Sequence, residues 1–174
     1  RADPSSMSRI GLLVLGVAPA LLFGQQASPC TSPEHRAFDF WIGVWDVYVG
    51  GRRAAENTID SVHAGCALRE QYRAANGFAG SSLSMFDAGR KVWHQTWVDT
   101  GGTLLLIEGG LRGGAMVMEG ETRSAAGAVR RNRLTWTALA RDSVRQRWEV
   151  WSDSAGAWRP VFDGLYVRRS AAPR

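Results

Sequence analysis

Lysine, histidine and cysteine are scarce in this chain, and no helical pattern runs past residue 37. Lys91 is the only lysine among 21 basic residues, so the formal charge of +5 is carried by arginine. The arginines are interleaved with acids (Arg69-Glu70, Arg147-Trp148-Glu149), and the densest run, Arg130-Arg131-Asn132-Arg133, falls where a turn is expected. Nucleic-acid binding needs basic residues gathered on one surface. This pattern argues against a nucleic-acid partner. His35, His63 and His94 are far apart, and no Cys-x-x-Cys occurs. The spacings that build structural zinc sites are therefore missing, and neither a metal nor a cofactor is expected. Acid–base catalysis needs two titratable groups converging on one site. Glu70, Asp99, Glu149 and Asp163 look scattered, and Gly80-Ser81-Ser82 is no nucleophile elbow. The chain is read as a non-enzyme with no catalytic residue.

What is present is glycine and tryptophan, 20 and 8 residues respectively. Many glycines imply many turns, and many tryptophans imply a β-rich core or an aromatic cavity. From Trp41 onward, short alternating runs are separated by Gly and Asp, the all-β pattern. Ten strands are expected, over 44–49, 54–63, 67–74, 79–87, 92–99, 103–112, 115–122, 131–139, 143–152 and 159–169. Turns such as Gly50-Gly51, Gly113-Gly114 and Asp99-Thr100-Gly101-Gly102 tolerate the positive φ of tight hairpins. Short links favour an antiparallel up-and-down meander, and closing it into a barrel removes exposed edges.

Upstream, Arg9 precedes an uncharged apolar stretch, Ile10 to Gly24. A basic flank and an apolar run of this length match a secretory signal. Extended from Met7 to Ala27, with Arg9 snorkelling, the same segment approaches the roughly 20 residues that cross a bilayer. Gln25 stands where a cleavage site prefers a small residue. Both readings stay open, and an uncleaved anchor is the working expectation, with the barrel on the periplasmic side of the inner membrane. The chain then divides into a signal or anchor helix (1–27), a linker (28–40) and a β-barrel domain (41–170). In such a compartment Cys30 and Cys66 are expected to pair.

Gly43-x-Trp45 on the first strand, the meander, and Arg168 or Arg169 on the last strand together resemble the lipocalin and calycin superfamily. The resemblance covers residues 38–169 as a pattern and implies a calycin-like barrel. It also implies that Trp45, with Gly43, packs beneath Arg168 and closes one barrel end. The opening Phe38-Asp39-Phe40-Trp41-x-Gly43-x-Trp45 is also similar to bacterial exported proteins of unknown function. The helix pair that caps fatty-acid-binding proteins and the C-terminal helix of lipocalins are missing. Some calycin-like barrels hold haem through one axial histidine, but His94 lies on the strand face opposite Gln95.

Strand alternation sorts the remaining side chains. Trp93, Gln95 and Trp97 share one face, Gln146 and Trp148 another, and Trp136 a third. Turned inward, they line a pocket of apolar walls with a few polar anchors, the profile of a small-molecule site. The alternative is a filled core in which Gln95 and Gln146 bond each other. Tyr48, Arg145, Arg147 and Trp151 then face outward, and aromatic residues with arginine suit a protein interface. Two functions follow as expectations. The first is a non-catalytic accessory subunit of an integral membrane complex, held in the bilayer through residues 7–27; photosynthetic and respiratory assemblies carry small subunits of this kind. The second is a periplasmic calycin-type binder of a hydrophobic or aromatic small molecule.

Overall fold

The computed structural model describes residues 29–170. One helical turn, α1 (Pro33–Arg36), and a 3-10 turn (Asp39–Trp41) lead into ten strands. These are β1 (Gly43–Val49), β2 (Arg52–Val62), β3 (Ala67–Ala74), β4 (Ala79–Asp87), β5 (Val92–Asp99), β6 (Leu104–Arg112), β7 (Ala115–Arg123), β8 (Val129–Ala140), β9 (Ser143–Ser152) and β10 (Ala157–Arg168). Each strand pairs antiparallel with its neighbours in sequence, and β1 pairs with β10, so the sheet is a closed barrel. The apolar helix expected over residues 1–27 lies outside the described residues. Among the described residues, no helix is long and apolar enough to cross a membrane.

Alternation decides which side chains turn inward. On β5, Trp93 and Gln95 are buried; on β8, Asn132, Leu134 and Trp136; on β9, Val144 and Gln146. The Arg130–Arg133 run carries two expectations, a turn and, from 131 on, a strand; β8 begins at Val129, two residues before the expected start. Arg130 to Arg133 belong to β8, with Arg131 opposite Glu121 and Arg133 opposite Glu119 across the hairpin. Opposite charges placed directly across a ladder favour the paired form, so the hairpin extends further than its arginine run suggests. At the other boundary, His63 to Gly65 form a 3-10 turn where the end of β2 was expected.

The segment before β1 does more than connect. Phe38 and Trp41 are fully buried inside one end of the barrel. Their rings stack at 4.9 Å, and Phe38 meets Trp93 and Trp136 edge-on at 5.6 and 5.2 Å. Three polar ties hold this arm: Trp93 Nε1 donates to the Glu34 carbonyl at 3.1 Å, Trp45 Nε1 to the Trp41 carbonyl at 2.9 Å, and the Arg36 guanidinium to the Gly65 carbonyl. Cys30 and Cys66 form a disulfide that joins the arm to the β2–β3 connection. Arg168 completes this end. Its guanidinium lies 4.2 Å from the centre of the Trp45 ring and donates to the Ile42 carbonyl at 2.9 Å. A partly exposed cation–π contact of this kind contributes about 1 kcal/mol. Gly43 makes room for it: its φ is +152°, and a Cβ there would overlap the Arg168 side chain.

The Cys30–Cys66 bridge closes a loop across a sequence separation of 36. A Cys30→Ser/Cys66→Ser variant should therefore lose about 2–4 kcal/mol of unfolding free energy. Phe38→Ala should lose about 3–5 kcal/mol by emptying the plug. Urea denaturation followed by circular dichroism reads both; an unchanged midpoint in either variant would show that the arm does not hold the barrel together.

Candidate functional site

At the end away from the arm, the barrel is not filled. A half-enclosed cavity of about 90 Å³ lies there, lined from β3, the β3–β4 turn, β5, β6, β8, β9 and β10. Its upper walls are rings: Tyr72 on β3, Phe78 in the β3–β4 turn, Trp97 on β5, Trp148 on β9 and Phe162 on β10. Leu105 and Leu134 close the sides. The depth is polar, with Glu70, Gln95, Gln146 and Tyr166.

Local sequence explains the ring positions. Tyr72 meets Phe78 and Trp97 edge-on, each at 6.3 Å. Gly80 on β4 faces Trp97, and a Cβ there would overlap the indole, so only glycine lets that ring lie against the wall. Polar contacts fix the two cavity indoles: Trp97 Nε1 donates to Asp99 Oδ2, and Trp148 Nε1 to Asn132 Oδ1, both at 3.0 Å.

Glu70 is the centre of the polar floor and is only 3% exposed. Alternation on β3 turns it inward between Leu68 and Tyr72, and the register sets it opposite Ile59 and Ser82. One carboxylate oxygen accepts from Asn57 Nδ2 at 2.7 Å, the other from Ser82 Oγ at 2.7 Å. Burial pushes the Glu70 carboxyl up to about 7, against the opposing pull of these two donors. Nearby, the Tyr166 hydroxyl donates to Gln146 Oε1, and Gln95 Nε2 donates to Ser84 Oγ at 2.9 Å. Burial, with the Glu70 charge beside it, holds both the Tyr72 and Tyr166 hydroxyls above their ordinary range.

Of the six pocket residues expected from sequence, Gln95, Trp97, Gln146 and Trp148 line this cavity. Trp93 and Trp136 do not; they pack against Phe38 at the closed end. Gln95 and Gln146 bond Ser84 and Tyr166 rather than each other. Glu70, which looked like one of several scattered acids, is the residue that sequence reasoning missed. Its signal was an acid at an inward position of a strand whose inward neighbours, Leu68 and Tyr72, are apolar and aromatic. His94 faces outward, against Glu108 Oε1 at 3.1 Å and Thr96 Oγ1 at 2.9 Å. Among the described residues no group of three or more His, Cys, Asp or Glu could hold a metal ion.

The expected interface residues lie on the outer surface. Tyr48 on β1 sits opposite Leu165 and Arg53. Arg145 pairs with Asp163 at 2.6 Å and holds that carboxyl below the usual carboxylate range. Arg147 pairs with Glu149 at 3.0 Å. Trp151 meets Trp158 edge-on at 5.5 Å, with the Arg131 guanidinium 5.3 Å from its ring centre. Compared with models of known protein families and with curated proteins, the chain matches none.

The Glu70 environment sets a pH dependence with a defined sign. An acid whose folded pKa lies above its ordinary 4.5 binds its proton more tightly folded than unfolded. Stability is thus greatest below the unfolded pKa and falls as pH rises through about 7. Glu70→Gln removes this decline. Relative to wild type, the variant should gain on the order of 3 kcal/mol between about pH 4 and about pH 8. Parallel denaturation curves at the two pH values check this; an identical wild-type–variant difference at both would place the Glu70 pKa in its ordinary range.

Proposed function

We propose that the barrel binds a small hydrophobic or aromatic molecule in its open end, as an exported, calycin-type binding protein. The observation that carries this reading is the half-enclosed cavity itself, with its aromatic walls and its small polar floor. Apolar walls with a few placed polar groups are the usual composition of a ligand site. The fully packed opposite end gives the contrast: the same barrel fills its interior with Phe38 and Trp41 at one end and leaves it open at the other. The Cys30–Cys66 bridge supports export, since disulfides persist in oxidising compartments. A binding role fits better than a catalytic one, because the titratable side chains beside Glu70 are the tyrosines Tyr72 and Tyr166, whose hydroxyls stay protonated.

Trp97 and Trp148 line the cavity and report its occupancy. A neutral naphthyl probe should quench tryptophan fluorescence saturably. Leu134→Phe, which adds volume at the cavity wall, should weaken that binding about tenfold, or 1.4 kcal/mol. Quenching that rises linearly with probe and ignores the variant would end this reading.

A second reading keeps the barrel as an accessory subunit of a membrane complex. Its main support, the apolar segment, lies outside the described residues. One described feature favours it: Leu83, Met85, Val98, Leu104 and Leu106 are all exposed on the adjoining outer faces of β4, β5 and β6. Contiguous exposed apolar side chains mark contact surfaces. Native purification from membranes should then recover the protein with a larger assembly, and Leu104→Asp/Leu106→Asp should release it. Recovery of the wild-type protein alone and water-soluble would exclude the subunit role.

A further inference from the structure

The cavity lining holds one carboxyl group, that of Glu70, and no arginine, lysine or histidine. Glu70 is buried, and the two groups that donate to it, Asn57 and Ser82, are neutral. Among the described residues no arginine, lysine or histidine forms an ion pair with it. The neighbouring arginines of β2 and β3 point outward and meet acids there, Arg53 with Asp46 at 2.7 Å and Arg69 with Asp60 at 3.0 Å. Beside Glu70, the side-chain oxygen of Asn57 is fully buried and also lacks a donor among the described residues. A buried carboxylate without a counter-ion is costly, and buried charges are normally paired. The aromatic wall points the same way, because ring faces attract cations, the more so when water is excluded.

We propose that the cavity is selective for an organic ammonium ion: its N–H groups reach Glu70, and its apolar or aromatic body lies among Tyr72, Trp97, Trp148 and Phe162. This rests on the reading of the barrel as a small-molecule binder and names the class of ligand. The size fits a ligand that enters head first. The enclosed space of about 90 Å³ is smaller than the roughly 150 Å³ cavity that encloses benzene. It therefore takes the ammonium group and the first carbons, while the rest of the body occupies the mouth. Each carboxylate oxygen keeps a second lone pair after accepting from Asn57 or Ser82, so the ammonium adds bonds without displacing either donor. The titratable groups that face Glu70 are Tyr72 on its own strand and Tyr166 on β10, both neutral over the working range. The ionisation that changes the site is therefore that of Glu70 itself, with its carboxyl near 7.

Three probes of equal length test the proposal by calorimetry on the disulfide-bonded protein: 2-phenylethylamine, 2-phenylethanol and phenylacetate. At about pH 8 the amine should bind at least about tenfold more tightly than the alcohol, and the anion most weakly. Towards about pH 5, protonation of Glu70 should remove most of the amine's advantage while alcohol binding stays within about twofold. Glu70→Gln should abolish both the advantage and its pH dependence. Equal binding of amine and alcohol at about pH 8, or an amine preference that survives in Glu70→Gln, would overturn the proposal and leave the binder reading intact. Failure of all three probes to bind would end both. The wild-type pH series decides the matter even if Glu70→Gln does not fold.

Discussion

A ten-stranded barrel encloses more space than the side chains of its own strands readily fill, and the rest of this structure answers that constraint. About eight strands give an interior that side chains just occupy. Here the surplus at one end is taken up by Phe38 and Trp41, brought in from outside the sheet and packed against Trp93 and Trp136. Arg168 over Trp45 seals the seam where β1 meets β10, and the Cys30–Cys66 bridge ties the inserted arm to the β2–β3 connection. Among the described residues no comparable insert reaches the other end, which keeps its void.

What lines that void is not what stability alone would select. Glu70, Gln95 and Gln146 line it and are buried, with Asn57 and Ser82 buried behind Glu70, and burying polar groups is unfavourable unless each finds a partner. Their hydrogen bonds offset part of this cost, yet a carboxyl held near 7 and an orphaned Asn57 oxygen remain. An apolar core of the same volume would avoid both. Strongly shifted acids concentrate where a protein meets another molecule, and the position of Glu70 at the base of an aromatic cavity gives that tendency a physical basis here.

Most of the fold was legible in the sequence because each strand is a short alternating run bounded by glycine. β3, β4, β5 and β9 match the expected limits residue for residue. The arginine run of β8 misled because charge reads as turn when the partner strand is unseen; Glu119 and Glu121 on β7 supply the missing half of the pattern. The cavity was half legible. Alternation identifies which face a residue occupies, and so placed Gln95, Trp97, Gln146 and Trp148 together. It does not give depth along the barrel axis, and depth separates those four from Trp93 and Trp136. Nor does it show that an arm from outside the sheet occupies the deeper level. Glu70 escaped notice because its meaning depends on Asn57 and Ser82, which come from two other strands and carry no signal of their own.

The disulfide also gives the barrel a direction. Cys30 fixes the point at which the chain arrives, and that point is at the closed end. A nine-residue strand such as β4 spans about 30 Å, or roughly 20–25 Å along the axis of a barrel with tilted strands, and the mouth opens about that far from the point of arrival. The covalent clamp thus lies at the packed base, and the rim is held by ladder hydrogen bonds and ring contacts.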